Sequence, residues 1–192
     1  MKYKLSKILK ELDSFCFLGL VLIFLSILYS FSTVEIFKIF YRDSVWVASS
    51  AYNLVKTGSI SDVLAREPGI ALGYGRIYAL LYGNVIAFFS DFVFPHRYLS
   101  WFVSILSLLI YFMVAIRLNY SIKVALFATF FLSITEGFLL ASHIGRSDIL
   151  SFLFVLTIVF LMIKEVPSRI GHLLAGLISA LAIDVHLSSQ CV

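Results

Sequence analysis

Asp43, His143, Arg146, Asp148 and His186 are the side chains of this sequence best suited to chemistry. A carboxylate can accept the proton of an attacking hydroxyl, while a guanidinium, imidazoles or a divalent metal can hold a departing phosphate. That set suits transfer of a group from a lipid-linked phosphate at a membrane surface. The sequence carries no Gly-rich phosphate loop, zinc motif or Ser-His-Asp pattern that would point to other chemistry. Its two cysteines, Cys16 and Cys191, make neither a disulfide framework nor a metal site. Each residue also has a plainer reading. Arg42 can be the ion-pair partner of Asp43, and Arg146 with Asp148 can simply end a helix, because charge at a membrane edge must be paired or wetted.

Asp43 lies in the stretch YRDSVWVASSAYNLVKTGSISD, residues 41–62, directly after the first long apolar run. Val45, Ala48, Tyr52 and Val55 recur at helical spacing, and Gly58 is a natural stop. This predicts a helix lying in the membrane plane with an acid at its mouth; the alternative is an ordinary wet loop.

The elements that must position these residues are membrane spans. The chain of 192 residues is 61% hydrophobic and 14% charged, which excludes an ordinary soluble domain. Its mean hydropathy of +1.01 says the same. A net charge of +4, scattered beside apolar runs, is a topology signal and does not fit nucleic-acid binding. After Lys2, Lys4, Lys7 and Lys10, residues 14–34 form an uncharged run that crosses a bilayer at about 1.5 Å per residue. It is longer than the h-region of a cleaved signal peptide, so a retained anchor with a cytoplasmic N-terminus is expected. Residues 35–97 are then an external loop with interfacial helices. Four further spans are expected within residues 98–188: 98–116, 124–140, 149–163 and 171–186. The fold class is therefore all-α integral membrane and multi-pass, with about five transmembrane helices in a single module.

Residues 77–94 decide the topology. Asn84, Ala87 and Asp91 make a polar stripe suited to an interfacial helix. If that segment does not cross, the cytoplasmic set is Lys2, Lys4, Lys7, Lys10, Arg117, Lys123, Lys164 and Arg169 against Glu11, Asp13 and Glu165, while the external side is neutral. If it crosses, most bases lie outside, against the positive-inside rule. The interfacial reading brings Asp43, Arg146 and Asp148 to one external face, with Glu136, His143 and His186 approaching it.

The runs RDSVWVASSAYNLVKTGSISD, PHRYLSWFVSIL, ASHIGRSDILSFLFVL and GLISALAIDVHLSS, in that order, resemble the N-terminal half of the polytopic GT-C glycosyltransferases. The branch most similar contains the protein O-mannosyltransferases and aminoarabinose transferases. The resemblance implies in-plane helices in the first external loop and a catalytic acid there, matching Asp43. It implies a second-loop acid that lines the site or binds metal in some branches, matching Asp148. Arg146, His143 and His186 would then bind substrate or phosphate. Where many members have an Asp-Glu pair, this chain has Asp43 and Ser44. Members also continue for further spans, so a truncated enzyme is expected, one that as a fragment would be inactive or need a second polypeptide. The implied partners are a polyprenyl-phosphate-linked sugar donor, membrane lipid, and a glycan, lipid or protein acceptor on the non-cytoplasmic side, in the plasma membrane if the source is prokaryotic. No cofactor is fixed, although a divalent cation suits the chemistry. The competing class is a non-catalytic membrane subunit or transporter fragment. A transporter would place ionisable residues near the midplane of its spans, whereas here they gather at span ends.

Overall fold

The computed structural model describes residues 14–34, 52–53, 55–58, 76–89, 94–144, 147–163 and 168–185. These residues form helices and no strand. The helices are α1 (Ser14–Thr33), α2 (Arg76–Phe89), α3 (Phe94–Arg117), α4 (Ile122–Ser133), α5 (Glu136–Ile144), α6 (Ser147–Met162) and α7 (Arg169–Val185). Ser14–Thr33 and Arg97–Arg117 are each long and apolar enough to cross a membrane, and α4 with α5 makes a third crossing if the bent pair is one span. Among the described residues the chain is thus all-helical with two to three candidate spans, as in an all-α membrane protein.

That count corrects the expectation of five. Ser147–Met162 and Arg169–Ile183 are apolar but shorter than a full span. The expected span 124–140 is not one rod either, because α4 and α5 meet at 62°. The break has a local cause. The Ile134 N–H donates to Phe130 O and the Thr135 N–H to Leu132 O, and the Thr135 hydroxyl also donates to Leu132 O at 2.8 Å, which closes α4. Thr135 O then accepts from Leu139 N and starts α5, with Glu136 in its first turn, where the helix dipole favours an acid.

At 14 residues α2 extends about 21 Å, short of a bilayer's hydrocarbon thickness. One face of α2 is buried through Tyr78, Tyr82 and Gly83, while Leu80, Leu81, Asn84, Phe88 and Phe89 are exposed. Of the expected stripe, the side chains of Ala87 and Asp91 lie outside the described residues. Tyr52, Asn53 and residues 55–57 are helical, and Gly58 follows at φ 73°, as the sequence pattern predicts.

The main core joins α2, α3, α6 and α7 through Tyr78, Tyr82, Val103, Ile149, Leu150 and Val185. Tyr78 and Tyr82 stack at 4.1 Å, and the Tyr82 hydroxyl pairs with Ser100 Oγ at 3.1 Å. Burial pushes the Tyr82 phenol above its ordinary range, and the Ser100 hydrogen bond opposes this.

On the other side α1 packs against α4. A Cβ on Gly19 would lie 3.0 Å from Leu126 Cβ, so the bare backbone of Gly19 sets how closely these helices approach. Farther along, Ser26 and Ser133 hydroxyls meet at 2.7 Å in the same interface. Gly19→Val is expected to destabilise the protein by about 1–3 kcal/mol through overpacking. Gly137→Ala, with open space around it, is the control. Thermal unfolding in one detergent compares them, and equal midpoints would refute the close-packing account.

Candidate functional site at the His143 end of the bundle

Three helix ends are tied together here. His143, on α5, is 2% exposed. Its Nε2 lies 2.9 Å from Ser30 O and 2.8 Å from Thr33 Oγ1 on α1. Its Nδ1 lies 2.5 Å from Leu139 O and 2.8 Å from Ser142 Oγ. Each ring nitrogen therefore faces one carbonyl and one hydroxyl. A ring nitrogen that carries a proton donates to its carbonyl, and the Thr33 and Ser142 hydroxyls complete the ring's contacts. The imidazole thus binds the last turn of α1 to α5.

Arg97 makes the second tie. It is 5% exposed in the first turns of α3, and its Nη1 donates to Val34 O at 3.3 Å. Phe31 adds apolar contact to the same junction, with its ring 5.0 Å from Trp101 and 5.9 Å from Tyr98. The end of α1, the start of α3 and the end of α5 consequently form one frame.

Asp148 lies in the first turn of α6 and is half-buried. The N-terminal dipole of the helix favours its carboxylate. Beside it, Ser147 is fully buried, and the Oγ atoms of Ser147 and Ser151 have no hydrogen-bond partner among the described residues. Buried hydroxyls are normally paired, so these two are places where water or a ligand hydroxyl would be stabilised.

Of the residues singled out from sequence, His143 and Asp148 are described. Asp43, Arg146 and His186 lie outside the described residues, so their meeting is not placed by this structure. The roots of their connections are. Val34, from which the chain runs on toward Asp43, and residues 144 and 147, which flank the connection carrying Arg146, belong to the one end held by His143 and Arg97. Glu136 is exposed at the bend between α4 and α5. Among the described residues no cluster of His, Cys, Asp and Glu could hold a metal ion.

Arg97 was not a site candidate from sequence. Its signal was available: a base embedded at the head of an apolar run is costly unless it has a partner or a task. Ser30, Thr33 and Ser142 gave no such signal, because small hydroxyls are common in membrane helices. No protein-family model matches the chain, and neither a curated protein nor a solved structure does so.

Proposed function

We propose that this chain is a membrane glycosyltransferase module of the GT-C type, moving a sugar from a polyprenyl-phosphate donor to an acceptor on the non-cytoplasmic side. One observation carries the reading beyond the motif resemblance: His143 joins the end of α1 to α5, so the connections bearing Asp43 and Arg146 leave the same end of the bundle. In this reading Asp43 takes the acceptor proton, Arg146 and Asp148 line the phosphate site with His186, and His143 and Arg97 hold the frame. In this arrangement α2 lies along the external surface. Membranes of cells that express the protein from its own locus, together with any second polypeptide the reaction needs, are expected to form glycosylated product from a panel of polyprenyl-phosphate sugars. Absence of product across the panel overturns the reading.

The orientation has its own test. Cysteine at exposed Asn119, in the turn between α3 and α4, is expected to be shielded from an impermeant thiol reagent in intact cells. Cysteine at exposed Thr57 is expected to react. The background replaces Cys16 and Cys191 with Ser. The opposite labelling pattern would invert the topology.

A further inference from the structure

The end of the bundle away from His143 holds a cavity of about 480 Å³ between α1, α3, α4 and α6. Cys16, Leu20, Phe112, Met113 and Leu126 supply apolar wall, and among the described residues Arg117 is the one charged side chain lining it. The volume falls within the roughly 300–1,000 Å³ usual for a ligand site. Arg117 is held rather than waving: its Nη1 donates to Phe160 O, and the guanidinium lies 3.4 Å from the centroid of the Phe160 ring. Stacking on an aromatic face leaves the other edge N–H groups of a planar guanidinium directed outward in its plane. No carboxylate among the described residues pairs with it, although the group is half-buried. Lys123 adds a second cation at the same end, its Nζ 5.5 Å from the Phe15 ring.

A fixed cation at the lip of an apolar cavity, in a membrane protein, matches an amphiphile with one anionic group. We infer that the cavity takes an acyl chain of an anionic phospholipid from the surrounding leaflet, with the lipid phosphate against Arg117. The chain replaces empty volume against Leu20, Met113 and Leu126, where each buried methylene contributes favourably. The phosphate gives the guanidinium the oxygen acceptors that a single backbone carbonyl does not supply. Lys123, at the same end, raises the local concentration of anionic lipid. This site is independent of the glycosyltransferase reading, since it lies at the opposite end of the helices from His143 and Arg97.

Cys16, 1% exposed on the cavity wall, is a built-in reporter. The full chain carrying Cys191→Ser would be reconstituted into vesicles of phosphatidylcholine alone, or with a third of the lipid replaced by phosphatidylglycerol of the same chains. Alkylation of Cys16 by N-ethylmaleimide, a neutral reagent, is then timed. The anionic vesicles are expected to slow it roughly fivefold, the order of preference one basic side chain confers at an anionic surface. Arg117→Gln is expected to remove the difference. Equal rates for the Arg117 protein in the two vesicles overturn the proposal without reference to any variant. Slowing that survives in Arg117→Gln overturns it too, because it would come from general surface charge.

Discussion

Asp43→Asn is expected to abolish most sugar transfer while leaving the fold intact. Asparagine keeps the size and hydrogen-bonding reach of the side chain but cannot take a proton, and general-base catalysis contributes roughly 10²–10⁴-fold in rate. The loss belongs in kcat, because the proton moves only as the acceptor attacks. The proposed role places the Asp43 carboxylate in a wet cavity, where it makes few packing contacts, so thermal unfolding in detergent should be unchanged. Transfer by Asp43→Asn at the unsubstituted rate would remove Asp43 from the mechanism. Asp148→Asn is expected to cost less in rate but more in yield, since it removes a charge that the α6 terminus favours and that stands two residues from Arg146.

How much of this was legible before the structure depends on the range of the interaction. The first span reads almost residue for residue, 14–34 against Ser14–Thr33, because an uninterrupted apolar run flanked by polar residues leaves the backbone one way to satisfy its hydrogen bonds in lipid. The second gains a turn, Phe94–Arg117 against 98–116, since Pro95 is tolerated in a first helical turn where its missing N–H is not needed. The break between Ser133 and Glu136 was hidden by composition: Ile134 and Thr135 are apolar or neutral enough to pass as span, and only their capping hydrogen bonds reveal the end of α4. The site frame was not legible, because Thr33 and His143 are 110 residues apart in sequence and no local spacing encodes their meeting. Charge placement expects the connections after α1 and before α6 on one side of the membrane; the structure brings the ends of α1 and α5 together at His143.

His143 offers the sharpest separation between a framing role and a chemical one. His143→Leu keeps an apolar side chain of similar bulk but removes both polar edges of the ring. Ser30 O and Thr33 Oγ1 lose the Nε2 contact, while Leu139 O and Ser142 Oγ lose Nδ1. Each pair keeps a hydrogen bond within its own helix, so each lost contact costs about 0.5–1.5 kcal/mol. A lower unfolding midpoint in detergent is expected, with faster proteolysis after α1, because the tie between α1 and α5 is gone. Ser142→Ala should show a smaller loss, since the ring keeps Leu139 O and its two α1 contacts. His172→Leu, at an exposed position on α7, should show almost none. Transfer activity would fall in His143→Leu in step with the folded fraction if His143 only holds the frame. An unchanged unfolding midpoint with transfer lost would instead make His143 a residue that touches the substrate, and the ring's pairing with Ser30 and Thr33 would then have to open during the reaction.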